Sequence, residues 1–185
     1  DQYDVILTKV IDPNTRHRVV TSGTWAVPVG RGMAFGSDMS KALDLVVGGW
    51  QLSGIYTYRG GQLLQFGGMI APSSVTQIGG TGKSNYWFDV TGFNRLAAFT
   101  RRANPLYYDN LRGPTFHNVD AVLSKKFKMF ERITPEFRLE AFNALNKLNW
   151  ANPNVSITAS DFGRTNAPVA GNVGRQLRYA LRVEF

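Results

Sequence analysis

The run Gly79-Gly80-Thr81-Gly82-Lys83-Ser84 comes nearest to a phosphate-binding loop. That chemistry needs a glycine five residues before Gly82, with a strand and a helix on either side, so that backbone amides can wrap a phosphate; the position holds Gln77, and no such pair of elements flanks it. A glycine-rich connection is the simpler reading. His17 and His117 are the only histidines, neither has a carboxylate or a second histidine at metal-ligand spacing, and strand-end polar roles account for both. Asp120, Glu136 and Glu140 have the residue types for carboxylate acid-base work, but they share an alternating face with Lys126, Arg138 and Arg182, so ion pairing is the favoured role. The chain has no cysteine, which argues against thiol catalysis, Cys-based zinc sites and a disulfide scaffold. Asn154-Val155-Ser156 fits the glycosylation pattern, a three-residue signal that carries no function by itself. No catalytic, cofactor-binding or metal-ligating set emerges, and the chain reads as a non-enzyme.

Binding chemistry is better represented. Trp87, Tyr107, Tyr108 and Trp150 fall in the long connections and are candidate ligand contacts, since exposed rings on loops stack on ligands; that they pack the connections down is the favoured reading. The formal charge is +8, from 21 Lys and Arg against 13 Asp and Glu, with adjacent pairs at Arg101-Arg102 and Lys125-Lys126. Basic residues spread along the whole chain rather than forming a stripe, so the excess fits anionic lipopolysaccharide or an anionic cargo as well as nucleic acid, and no nucleic-acid partner is assigned.

Period-two alternation dominates the elements that must position these residues, in segments of about ten to fourteen residues. Five are present: 16–27, 46–59, 116–130, 134–146 and 175–185. In the second, Trp50, Leu52, Gly54, Tyr56 and Tyr58 share one face, and Gln51, Ser53, Thr57 and Arg59 the other, with Ile55 breaking the polar row. The third places Lys125 on its apolar side near the segment end, where a long stem lets the ammonium reach an interface. The fourth reads as a strand, with an amphipathic helix as the alternative because Leu139, Phe142 and Leu145 also fall at helical spacing. The fifth alternates without exception from Leu177 to Phe185. Short or moderate links (28–45 and 131–133) exchange with long Gly/Asn/Ser-rich ones (60–115 and 147–174). Residues 1 to 15 read as a lead-in, with a short strand around Tyr3 to Thr8.

Membrane barrels have this asymmetry of tight turns on one side and long loops on the other. No apolar run approaches the ~20 residues of a membrane helix, so any crossing must be by strands, which need about 9 to 11 tilted residues each. Hydrocarbon leaves unpaired backbone groups no water to bond, so such strands must close into a barrel with an apolar outer face and a wet or plugged lumen. Trp25, Trp50, Phe127, Phe130, Phe137 and Phe185 would then lie near one end and Tyr56 and Tyr58 toward the other, as interfacial belts do. A soluble all-β carbohydrate-binding module and a surface adhesin remain as alternatives, since alternation alone does not say which face meets water. Five spans fall short of the about eight in the smallest bacterial barrels. The expected fold is therefore an all-β, antiparallel transmembrane β-barrel segment of about five long strands, incomplete as a barrel on its own. Asp1 in place of Met, with no signal-peptide organisation after it, suggests a processed chain or a piece of a longer one.

Four stretches carry a family resemblance: Arg16-His17-Arg18-Val19-Val20; Gly49-Trp50-Gln51-Leu52-Ser53-Gly54-Ile55; Arg112-Gly113-Pro114 through Phe116-His117-Asn118-Val119-Asp120; and Phe137-Arg138-Leu139-Glu140-Ala141-Phe142-Asn143. Together and in this order they resemble the C-terminal barrel of TonB-dependent outer-membrane receptors, most of all the Oar-like acidobacterial group. The terminal Tyr179-x-Leu181-x-Val183-x-Phe185 is similar to the signal read by the barrel-assembly machinery. The resemblance implies an outer-membrane transporter of about 22 strands that takes up a scarce ligand with energy delivered by TonB. Residues 1–185 would be the C-terminal part of its barrel, with the plug and the N-terminal strands absent from this chain. It implies no cofactor; the partners would be outer-membrane lipid and lipopolysaccharide, the assembly machinery, TonB acting through the plug, and a small ligand.

Overall fold

The computed structural model describes residues 15–82, 85–127 and 134–184, which divide into two compact units. Of the described residues, one unit takes 18–59, 116–127, 134–148 and 171–184; the other takes 15–17, 60–82, 85–115 and 149–170.

The first unit is a five-stranded sheet built from β1 (Arg18–Ala26), β2 (Trp50–Arg59), β5 (Phe116–Lys126), β6 (Thr134–Phe142) and β7 (Gln176–Glu184), in the order β1-β2-β5-β6-β7. Every neighbouring pair is antiparallel. Each of the five alternating segments therefore contains a strand, the fourth included, and its helical alternative is set aside. β6 stops at Phe142 because Asn143 turns to a positive φ of 49°. Asn143 is also tied down, taking the Asp120 carboxylate on its backbone amide at 2.9 Å and giving its side-chain amide to Val173 O at 3.0 Å.

Register turns the alternation into two walls. On the apolar wall, Trp25, Leu52, Leu123, Leu139 and Tyr179 form one row across all five strands, and Gly23, Gly54, Ala121, Ala141 and Leu177 form the next. A further row runs Trp50, Lys125, Phe137, Leu181, with Trp50 and Phe137 edge to face at 6.2 Å. Toward the opposite end, Tyr56 donates to or accepts from His117 Nδ1 at 3.0 Å, and the Tyr58 ring lies 5.0 Å from the same imidazole. Trp25, Trp50 and Phe137 thus share one end and the tyrosines the other, while Phe130 and Phe185 lie outside the described residues. The opposite wall carries Thr24, Ser53, Val122, Glu140 and Arg178 in one row and Lys126, Glu136 and Arg182 in another.

Among the described residues this sheet has no hydrophobic core of its own. All nine residues of β1 are exposed, and Leu177, Tyr179, Leu181 and Val183 are exposed on β7. The sheet does not close: β1 and β7 are its two edges. One departure from the sequence reading lies at 46–49. The second segment starts as a strand only at Trp50, because Lys41–Val47 form a short helix, α1, whose N-cap Ser40 accepts the Leu43 amide at 3.3 Å. Among the described residues no helix is long and apolar enough to cross a membrane.

The second unit is what the chain makes of its long connections. Residues 60–115 join β2 to β5 and contain a small antiparallel sheet of β3 (Leu63–Gln65) and β4 (Tyr107–Arg112); residues 149–170 fall between β6 and β7. They share a hydrophobic core that includes Leu64, Phe66, Met69, Phe88, Leu111 and Phe162. Phe66 stacks on Phe93 at 5.7 Å and meets Phe88 and Tyr108 edge to face, and Phe162 meets Phe88 and Phe93 the same way. Each such side chain contributes roughly 1.5–3 kcal/mol by leaving water, and each ring pair about 0.5–1.5 more. Glycine permits close approach at Gly61, where a Cβ would strike the Gly113 carbonyl.

The rows grade the effect of an added charge by depth. Leu177→Arg lies in the row of Gly54 and Ala121 between the two aromatic ends, so it should cost about 2–4 kcal/mol in bilayer stability of the complete barrel, whereas Leu181→Arg, level with Trp50, should cost about 0–1. Arg178→Gln, on the polar wall, should be close to neutral. Denaturant titration of the barrel in lipid vesicles measures all three; equal tolerance of arginine on both walls would contradict the assignment of the walls.

Candidate functional site

Two surfaces offer functional chemistry: the polar wall of the sheet, and the aromatic unit formed by the long connections. On the polar wall Thr24 and Ser53 hydroxyls meet at 3.1 Å, and Arg138 pairs with Glu140 at 3.2 Å. Arg178 faces Glu140 across β6 and β7, with its guanidinium 5.0 Å from the Phe142 ring. Glu136 sits in register between Lys126 and Arg182. Asp120 is engaged by the Asn143 amide. Glu140 is thus met by a cation and Asp120 by a backbone amide, while Glu136 stands in register with two cations, and the wall presents hydroxyls, amides and charges suited to hydrogen-bonding a polar solute. Among the described residues no group of three or more His, Cys, Asp or Glu is placed to hold a metal ion.

The four connection aromatics all belong to the second unit, and they divide into two kinds. Trp87 and Tyr108 are 8% and 5% exposed, members of its core. Trp87 Nε1 donates to Arg112 O at 2.6 Å and the Tyr108 hydroxyl to Pro72 O at 2.7 Å. Rings held this way fill an interior and do not present a face to a solute. Tyr107 and Trp150 are only half-buried; the Tyr107 hydroxyl donates to Gln65 Oε1 at 3.3 Å, and Trp150 bridges Pro168. The sequence reading missed Phe99, fully exposed with φ 62°, among exposed Arg95, Arg101 and Arg102. It also missed the Tyr86 and Arg164 pair, in which the guanidinium lies 4.5 Å from the ring and donates to the hydroxyl at 3.0 Å. Neither follows a period, so no pattern announced them. In the glycine run, Gly79 and Gly80 amides donate to Trp87 O and Tyr86 O, which is loop architecture; Lys83 and Ser84 lie outside the described residues.

Two acid-base groups of this unit are perturbed. The Thr91 hydroxyl and amide hold the Asp89 carboxyl below its usual range. Burial pushes the Tyr108 phenol above its ordinary 10.0, opposed in part by the Arg102 charge.

An antiparallel sheet with one apolar and one polar wall, aromatic residues toward both ends and, among the described residues, no hydrophobic core of its own has the character of the wall of a membrane-spanning β-barrel. Residues 8–178 match the family model described as an outer membrane beta barrel domain, and the chain belongs to that family. No curated protein and no solved structure matches it. The protein is accordingly located in the bacterial outer membrane, with the apolar wall toward acyl chains and the polar wall toward the lumen. The soluble-module alternative would need a second layer over the apolar wall, and among the described residues β1 and β7 keep their apolar side chains exposed. Of the terminal residues, Tyr179, Leu181 and Val183 lie on this wall at the edge strand, while Phe185 is outside the described residues.

The Tyr108 shift gives a pH prediction. A native pKa above the unfolded one means that the fold binds this proton more tightly, so its contribution is intact below pH 10.0 and drains away as pH rises through the native value. Tyr108→Phe should flatten the alkaline loss of structure of the second unit, followed by near-ultraviolet circular dichroism. Trp87→Phe, which leaves the Arg112 carbonyl unsatisfied, should destabilise the unit by about 1–3 kcal/mol at every pH.

Proposed function

We propose that the chain is the C-terminal part of the barrel of a TonB-dependent outer-membrane receptor of the Oar-like type, serving as barrel wall and ligand-gating rim rather than as an enzyme. The observation that carries this reading is an open five-stranded sheet, with edges at β1 and β7, in a chain whose long connections form a folded unit of their own. The free edges need partners in lipid, since each unpaired backbone group there costs several kcal/mol. Strands preceding β1 in a barrel of about 22 would supply them and enclose a lumen wide enough for a plug. A large folded unit between strands suits a receptor that must first capture its ligand, more than a small barrel closed by turns. The resemblance of Gly49-Trp50-Gln51-Leu52-Ser53-Gly54-Ile55 and of Phe137 to Asn143 to the receptor barrels supports the same choice.

In this reading the partners are outer-membrane lipid, lipopolysaccharide attracted by the basic excess, and the assembly machinery engaging the β7 side chains. TonB would act through a plug outside these residues, and a small ligand would meet the half-exposed Tyr107 and Trp150. No cofactor is invoked.

Planar-bilayer recording of the complete protein tests the proposal without a known ligand. A plugged receptor should give no steady conductance until the plug is removed or loosened by denaturant, and cross-linking in cells should trap it with TonB. A wide channel open from the moment of insertion, or a complete reading frame without a plug, would overturn the receptor assignment while leaving the barrel intact.

A further inference from the structure

The connection between β1 and β2 carries more apolar surface than a turn requires. After Val27, whose amide still donates to Trp50 O at 2.9 Å, the chain turns at Gly30, Gly32 and Gly36, all at positive φ, and then forms α1. No residue of α1 is buried. Val46 is 64% exposed and Leu43 50%; Phe35 and Met33 in the preceding turn are exposed to a similar degree. Leu43 and Val46 are three residues apart, so they share one side of the helix. Exposed apolar groups gathered in one short connection mark a surface that something other than water covers.

The attachment of α1 shows what that is. Lys125 is 3% exposed although it belongs to the lipid-facing wall. Its ammonium donates to Val46 O at 3.0 Å and to Gly48 O, with Asp44 O at 3.5 Å. Trp50, the neighbour of Lys125 in the same row, donates its indole N–H to Val46 O at 3.0 Å. The ammonium also lies 5.5 Å from the Trp50 ring and 5.2 Å from that of Phe127. Both donors come from the apolar wall, so the carboxyl end of α1 lies against that wall's outer surface. It does so in the row of Trp50 and Phe137, where interfacial aromatic anchors belong. A bare lysine facing lipid is expensive; here carbonyls at the negative end of a helix take up its charge.

We propose that α1 and the turn bearing Met33 and Phe35 form an interfacial foot on the outside of the barrel, resting in the boundary between headgroups and acyl chains of the phospholipid leaflet. The end of the sheet fixes which leaflet: α1 lies at the same end as the short link from β5 to β6, the tight-turn side, which is periplasmic in outer-membrane barrels. The apolar side chains of the foot continue the lipid-facing wall past its last row, and exposed Lys41 and Arg31 flank them at headgroup level. The inference rests on the apolar wall facing lipid.

Spin labels on the complete barrel in phosphatidylethanolamine/phosphatidylglycerol vesicles test it, placed on a background without other reactive thiols at Leu43→Cys, Val46→Cys, Asp38→Cys and Leu177→Cys. Power saturation compares collision with oxygen, which enriches in lipid, and with a water-soluble nickel chelate. Labels at 43 and 46 should favour oxygen several-fold over the Asp38 position while reading shallower than Leu177. Nickel access at 43 and 46 equal to that at 38, with Leu177 dry, would overturn the foot alone. Shielding of 43 and 46 from both reagents would overturn it too, by showing protein above them. A nickel-accessible Leu177 would overturn the wall assignment and the foot together. Heat-modifiable migration of each variant reports that the barrel has folded.

Discussion

Every peptide group that crosses hydrocarbon must find its hydrogen-bond partner on another strand, because lipid supplies none. That requirement fixes the pairing before any side chain is considered, and pairing fixes the rest. Once Leu52, Leu123 and Leu139 stand opposite one another, each strand's odd and even residues are committed to opposite walls. A slip of one residue would put Arg138 and Glu140 among acyl chains and Leu139 in the lumen. The sheet therefore needs no buried core to be specific, and it has none. The same constraint makes the edges at β1 and β7 an invitation to further strands.

The connections follow the opposite logic, because they answer to water. Their backbone groups are satisfied by isolated bridges such as Ile70 with Asn94 and Gln77 with Phe88, and by side chains such as Asn104, which accepts the Met69 amide at 3.1 Å and donates to Gly67 O at 2.9 Å. Stability comes from excluding water from Phe66, Phe88, Phe93 and Phe162. One chain thus holds an inside-out wall and an inward-packed unit, each suited to its own solvent.

This division explains how far the residues could be read. The strands were legible nearly to their ends, since a period of two persists over nine or more residues and a barrel wall allows few exceptions. Ile55 breaks the polar row and is 48% exposed, as a lone apolar residue there would be. The error at 46–49 arose because Leu45, Val46 and Val47 look the same at the start of a strand as at the end of a helix, and the Ser40 cap that distinguishes them lies outside the alternating window. The second unit was illegible for another reason. Its core residues, Leu64, Phe88, Leu111 and Phe162 among them, come from distant stretches with no common period, so Trp87 and Tyr108 could not be told apart from Tyr107 and Trp150. Glycine and asparagine enrichment signalled connection, which was right, but composition carries no information about whether a connection folds.

Lys125 shows how one apparent violation can organise its surroundings. The sequence places it on the apolar face and explains it by reach: a long stem carrying the charge toward the interface. The structure meets the charge differently, by bringing polar backbone to it. Three carbonyls at the end of α1 converge on the ammonium, and Asp44 in turn takes the Arg31 amide at 2.7 Å, which ties the turn to the helix. The Trp50 indole secures the same carbonyl end from the adjacent strand. A charge on a lipid-facing wall is tolerable only with its partners fixed, so the helix is held in place by the same interaction that makes the lysine permissible. That reciprocity is why α1, too short to be stable alone, is a defined element at this end of the barrel.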